Sequence, residues 1–239
     1  IAYGQEMVAG FQRSFEDNGG QVVAKLWPPL NVAEYSAYIA QIRDVDVVYM
    51  AFAGVNGLRF MRQYEEFGLH GSIPLLGGMT SADESILRNM GDEELGVISS
   101  SFYSAELPSA ANQAFVSLMR DTYDVDPGYY AVSAYLEALV LDTALQQVGG
   151  DTADKEALMA ALRSVSLEAS PRGATRFDEY GNVVGNIYIF EVQRRDGRLV
   201  NTPIKTYENV SQFWTYDTEE FLSQPVYSRD YPPARFLGQ

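Results

Sequence analysis

The chain has no cysteine and only one histidine, His70, in 239 residues. Without thiols there is no disulfide, no thiolate nucleophile and no zinc–sulfur centre. The absence leaves the compartment open, because oxidising spaces hold cysteine-free proteins as readily as the cytosol does. His70 lies between Leu69 and Gly71 in a helix-to-strand loop. Alone it builds neither a catalytic triad nor a histidine-rich metal site, and an idle, exposed side chain is expected. Basic residues are scarce, with 17 Lys plus Arg against 32 Asp plus Glu and a formal net charge of −15. Nucleic acid and anionic lipid surfaces, which bind positive patches, are therefore not expected partners. No apolar run approaches a membrane span and no basic-plus-apolar leader opens the chain, so direct membrane insertion is not expected; a mature secreted protein would look the same.

What is present is an alternation of strands and helices. Residues 46–53, Asp-Val-Val-Tyr-Met-Ala-Phe-Ala, form a short β-branched and aromatic run that fits a buried parallel strand. Leu58, Met61, Tyr64 and Phe67 then recur at helical spacing, Gly68 stops the helix, and residues 73–76 supply a second strand running into Gly77-Gly78. This is a βαβ unit, which places small-molecule contacts in the loops after the strand ends. Residues 21–26, a helix over residues 34–42 and the strand at 47–52 make an overlapping second unit, with Trp27-Pro28-Pro29 ending its first strand. Residues 3–18 are predicted helical with Met7, Val8, Phe11 and Phe15 inward. No strand precedes that helix, so further residues are expected upstream.

Residues 81–90 form a short helix in which Ser81 and Glu84 stand at capping-box spacing. Residues 96–102 are another apolar strand. Three helices follow at residues 110–123, 129–148 and 155–165, expected to cover a second sheet. Short strands return at residues 176–178, 186–193 and 199–207, the last two joined through Asp196-Gly197 as a hairpin. Beyond Glu208 the chain is rich in aromatics and proline, as expected of a tail laid across the domain surface, with a partner-binding or dimerisation segment as the alternative.

No catalytic set emerges. Asp83 with Glu84, and Asp92 with Glu93 and Glu94, have polar, helix-terminal neighbours and are expected on solvated surface rather than as an acid–base pair. Calcium-loop spacing is absent, and no metal or cofactor is expected. Gly77-Gly78-Met79-Thr80-Ser81 carries two readings: a tight turn followed by a helix cap, or backbone N–H groups offered to a carboxylate or phosphate. The phosphate-loop pattern with its Lys is missing.

Several motifs in series carry a resemblance: Tyr3-Gly4 with Gly10-Phe11 and Gly19-Gly20; Asp46-Val47-Val48-Tyr49; Gly68-Leu69 leading to Ile73-Pro74-Leu75-Leu76-Gly77; Asp126-Pro127 with Tyr130-Ala131 and Tyr135-Leu136-Glu137-Ala138; Ser170-Pro171-Arg172-Gly173 with Phe177-Asp178 and Gly181-Asn182. Over about the first 205 residues this order resembles the branched-chain amino acid type substrate-binding proteins of bacterial ABC importers. The resemblance implies the α/β, type I periplasmic-binding-protein fold, with two lobes of parallel sheet flanked by helices closing on a ligand, and an N-terminal half-lobe missing from this chain. Residues 1–98 correspond to most of lobe two, 99–170 to a crossing strand and the helical part of lobe one, 171–206 to the third crossing and completion of lobe two, and 207–239 to the tail.

By the same resemblance, Tyr3 lines the cleft, Phe52 and Ala53 follow the second lobe-two strand where members set an aromatic against the ligand, and Gly78, Met79 and Thr80 fall near the acidic residue that holds a ligand ammonium in leucine-binding members. Met79 and Thr80 are uncharged, and a buried ammonium needs an anionic or well-oriented acceptor. Tyr129 and Tyr130 open a long helix and face either the cleft or the core; Tyr130 is taken as a site residue. The expected function is non-enzymatic: periplasmic or other extracytoplasmic capture of a small aromatic or other organic acid by hinge closure, followed by docking on ABC permease subunits. Lipid anchoring through the absent N-terminus fits the same picture. A branched-chain amino acid receptor and the ligand-sensing domain of a receptor are the alternatives.

Overall fold

The computed structural model describes residues 1–238. Helix α1 (Ala2–Asp17) precedes a short helix α2 (Ser36–Ile39), and strand β1 (Val48–Met50) then begins the alternation. Helix α3 (Val55–Glu66) crosses from β1 to the parallel strand β2 (Leu75–Gly77), and α4 (Glu84–Leu87) with a 3-10 turn (Asp92–Glu94) crosses to β3 (Ile98–Ser101). The register sets Val48 beside Leu75 and Leu76 beside Ile98, so all three strands end at one edge. Helices α5 (Ala110–Tyr123), α6 (Tyr129–Gln147) and α7 (Lys155–Ser164) follow, then β4 (Ser166–Leu167), β5 (Thr175–Phe177), β6 (Val183–Arg195), β7 (Arg198–Val210) and α8 (Thr218–Ser223).

These strands form one seven-stranded sheet in the order β1-β2-β3-β6-β5-β4, with β7 on the other edge of β6. Strand β6 is the hub. It pairs antiparallel with β3 from Tyr188 to Glu191 and with β5 from Val183 to Gly185, so those two strands share one of its edges. The β6–β7 turn is Asp196-Gly197, both residues at positive φ as a two-residue hairpin of the favoured twist requires.

Tyr188, Phe190 and Val192 alternate along β6 and therefore share one face. Val192 closes a core of Tyr35, Ile39, Met50, Phe60, Met61 and Tyr64, whereas Tyr188 and Phe190 belong to a second core with Tyr103, Phe115, Val132 and Leu136. One strand thus seats both the βαβ layer and the helical layer. The helices expected to need a separate sheet pack on the far end of this one.

Four expectations are corrected. Residues 21–26 run without a ladder partner in the sheet; Val23 instead accepts a hydrogen bond from Gly238 N at 3.2 Å. A β-prone sequence makes a strand only where a neighbour completes its hydrogen bonds. In α3, Phe60 is buried and Phe67 is exposed, because the helix presents its Gly57-Phe60-Met61-Tyr64 face to the sheet. The cap of α4 is Asp83, which accepts from Ser85 N at 3.0 Å, so Ser81 and Glu84 form no capping box. Asp83, Glu84 and Glu94 are buried, not solvated. The tail behaves as expected and lies along α1: Gln12 Nε2 donates to Pro232 O at 3.2 Å, and Arg13 lies 3.7 Å from the centre of the Tyr216 ring.

Candidate ligand-binding site

Parallel strands joined by helices leave a crevice outside their carboxyl ends, where consecutive loops diverge. Here that edge gathers Tyr3 from the start of α1, Phe52 and Ala53 after β1, Gly78 to Thr80 after β2, and Phe102 after β3. Helix α1 reaches the edge because its Gly4 is small: a Cβ there would stand 3.3 Å from Ala51 O. Gly78 has no such room, since a Cβ would lie 2.8 Å from Met7 Cε and 3.0 Å from the Tyr49 hydroxyl.

Three of the expected residues are joined by hydrogen bonds. Thr80, 5% exposed, donates its hydroxyl to Phe52 O at 2.5 Å, and the Tyr3 hydroxyl lies 2.6 Å from Thr80 Oγ1. The Phe52 ring packs against Phe60 at 5.0 Å and edge-on to Tyr35 at 5.5 Å, so its body belongs to the core and its carbonyl to the edge. The Gly78 N–H donates to Met50 O at 2.9 Å and continues the sheet. Gly77 to Ser81 turn tightly, with Ser81 N donating to Gly78 O at 2.9 Å, and the cap of the next helix falls to Asp83. Met79 is half-buried and Ala53 is exposed at the same edge.

At the start of α6 the structure separates the two tyrosines. Tyr130 is 71% exposed, while Tyr129 is buried, its ring tilted 34° against Tyr130 at 4.0 Å and edge-on to Phe102 at 6.0 Å. Burial raises the Tyr129 pKa, a hydrogen bond with Tyr130 raises it further, and the Tyr3 hydroxyl is close enough to add to the effect. Tyr3, Thr80, Tyr129 and Phe102 thus form a continuous aromatic and hydroxyl-bearing shelf. Phe102 and Tyr129 were not assigned from sequence; Phe52 came from the family resemblance, whereas Phe102 meets the strand-end rule.

Beneath Phe102 lies Arg172, 7% exposed, with its guanidinium carbon 4.3 Å from the ring centre. Its Nη2 donates to Asn186 O at 3.3 Å, and a Cβ on Gly185 would stand 3.1 Å from that nitrogen. Burial lowers its pKa to about 10, still well above neutrality. Two acids brace the shelf from behind. Asp83 accepts from Tyr129 N at 2.8 Å, and Glu84 accepts from Ala105 N at 3.1 Å. Burial, helped by neighbouring Asp83, raises the Glu84 pKa to about 8.

The shelf is open. Two half-open concavities, of about 460 and 450 Å³, lie elsewhere, around Leu107 and Pro108, and neither includes Tyr3 or Thr80. The strand-end shelf remains the candidate site, because its side chains converge from two strand-end loops and the starts of two helices. Among the described residues there is no group of three His, Asp or Glu side chains arranged for a metal, and no helix is long and apolar enough to cross a membrane.

Comparison with known proteins agrees with this architecture. The family model described as "Periplasmic binding protein" matches residues 1–198. A Leu/Ile/Val-binding protein homolog 6 from Brucella melitensis is 31% identical over 207 residues, covering 83% of this chain and 52% of the relative. A solute binding protein of an ABC transporter from Rhodopseudomonas palustris BisB5, solved with 3,4-dihydroxybenzoic acid, superposes with a TM-score of 0.79 at 33% identity over 85% of this chain and 57% of that one. Another from R. palustris, solved with benzoate, gives a TM-score of 0.77 at 31% identity over 89% and 56%. The chain spans about half the length of the relatives it matches. A strand-end shelf on a mixed α/β sheet, matched across most of the chain at family level, identifies it as a member of the periplasmic binding protein family.

Proposed function

We propose that this chain forms the greater part of the ligand-closing machinery of an extracytoplasmic solute receptor for an ABC importer, and that its ligand is an aromatic carboxylate. The observation that carries the reading is the uncharged aromatic shelf of Tyr3, Thr80, Tyr129 and Phe102, which offers ring faces and hydroxyls to a flat organic body. The two solved relatives above hold aromatic acids, which agrees with that lining. Phe52, Ala53, Gly78, Met79 and Tyr130 complete the rim in this reading.

In this reading residues 1–98 and 171–206 belong to lobe two, 99–170 supply a crossing and lobe-one helices, and the tail that starts at residue 207 braces α1. Closure on the ligand shifts the population to the form that docks on membrane permease subunits. No covalent step is required in this reading.

A branched-chain amino acid ligand is the second reading, favoured by the Brucella relative's name. Against it, both oxygens of Asp83 are engaged by Tyr129 and Ser85, and the exposed part of the shelf carries no anion for an ammonium. A thermal-unfolding screen of the gene product decides between them, since a ligand that binds only the folded state must raise its apparent stability. Shifts with benzoate-type acids and none with leucine support the first reading; a shift with leucine or valine alone replaces it with the second.

A further inference from the structure

The hydrogen bonds at the shelf have a fixed direction. A backbone carbonyl can only accept, so the proton between Thr80 and Phe52 belongs to the Thr80 hydroxyl. Thr80 has one hydroxyl proton, and that proton is committed to Phe52 O. The 2.6 Å contact between Thr80 Oγ1 and the Tyr3 hydroxyl must then carry the proton of Tyr3. Tyr3 donates to Thr80, Thr80 donates to Phe52 O, and the Tyr3 oxygen is left with lone pairs only. Thr80 is 5% exposed, so solvent does not readily reorganise the relay.

We propose that this relay makes Tyr3 an obligate hydrogen-bond acceptor in the cleft, so that the receptor selects aromatic carboxylates bearing a ring hydroxyl or amine over those that lack a donor. The inference rests on the aromatic-acid reading above and adds the polarity of the recognised group. A site built to pair with a ligand O–H or N–H discriminates against the analogue without it, because the acceptor, half-buried here and desolvated once a ligand covers it, is left unpaired. A methyl group of hydroxyl size brings no such donor to Tyr3. Tyr129, whose raised pKa keeps it a neutral phenol, stands beside the same position.

The test is calorimetric titration of the gene product with benzoate, the meta- and para-hydroxybenzoates, para-aminobenzoate, and the meta- and para-methylbenzoates as isosteres without a donor. At least one hydroxybenzoate is expected to bind about tenfold or more tighter than its methyl counterpart. Tyr3→Phe removes the acceptor while keeping the ring, so the ratio of hydroxybenzoate to methylbenzoate affinity falls towards one. Thr80→Val frees the Tyr3 proton to point at the ligand and narrows the preference, whereas Thr80→Ser keeps it. Equal affinity for hydroxyl and methyl forms in the parent protein, or a preference that survives in Tyr3→Phe, overturns the inference and leaves the aromatic-acid reading standing. Failure of every aromatic acid to bind overturns both.

Discussion

Asp83 Oδ2 accepts the backbone N–H of Tyr129 at 2.8 Å across 46 positions of sequence, tying the loop after β2 to the first turn of α6. The preceding residue, Gly128, makes this possible, because a Cβ there would lie 2.4 Å from Asp83 Oδ1 and 2.7 Å from Oδ2. Gly128→Ala must therefore displace the carboxylate or the helix start. A loss of about 1–3 kcal/mol is expected, in the range of overpacking substitutions, and is read from urea midpoints. Because Tyr129 moves with the helix start, weaker ligand binding is expected as well.

The buried acids predict a pH dependence of stability. Burial, then Asp83, raises Glu84 to about 8; burial, then Glu93, raises Glu94 to about 8, and neither Glu94 oxygen has a hydrogen-bond partner. A carboxyl whose folded pKa lies above its unfolded value holds a proton in the fold that the unfolded chain releases. Stability is then highest below the unfolded pKa and falls as pH rises to the folded one, here between roughly pH 4.5 and 8. Each group contributes a slope of at most about 1.4 kcal/mol per pH unit. Glu84→Gln and Glu94→Gln should each flatten the decline, and the double variant should flatten it most. Denaturant melts at pH 5 and pH 8 measure the effect; identical slopes in parent and double variant would refute it.

Arg172 supports Phe102 from below. Replacing it with Ala removes a cation from 4.3 Å beneath the ring and leaves a void in the floor, with an expected loss of about 1–3 kcal/mol. Arg172→Lys should fail to rescue, since an ammonium neither stacks flat on the ring nor tolerates this burial as a guanidinium does. Near-ultraviolet circular dichroism and unfolding midpoints report both effects.

The tail should matter to α1 and not to oligomeric mass. Arg13 donates to the Tyr227 hydroxyl at 3.0 Å and lies over Tyr216, while Arg235 N donates to Glu16 Oε1 at 3.2 Å. Truncation after Val210 should lower the melting temperature and leave the number of chains per particle, read by light scattering, unchanged. A drop from dimer to monomer would instead assign the tail to dimerisation.

The βαβ core was legible because its signals are local: three short apolar runs, helical spacing around Met61 and Tyr64, and glycines at the ends. The hairpin at Asp196-Gly197 was legible for the same reason. Features that depend on distant partners were not. Residues 21–26 have strand composition without a ladder neighbour. Asp83, Glu84 and Glu94 carry no local sign that Tyr129, Ala105 and packed helices will cover them. On α1, Gln12 and Glu16 are buried beneath the tail, which nothing local in the helix signals. At the site, Tyr3, Thr80 and Phe52 were selected and do converge, but the packing of the Phe52 ring, and the choice of Tyr129 over Tyr130 as the buried residue, follow from tertiary contacts.

Strand β6 also sets the order of assembly. The inner edge of β3 has no partner until residues Tyr188 to Glu191 are in place, with α5, α6 and α7 lying between them in the sequence. Any partly folded chain lacking β6 therefore presents unpaired backbone next to apolar Ile98, a template for pairing with another chain.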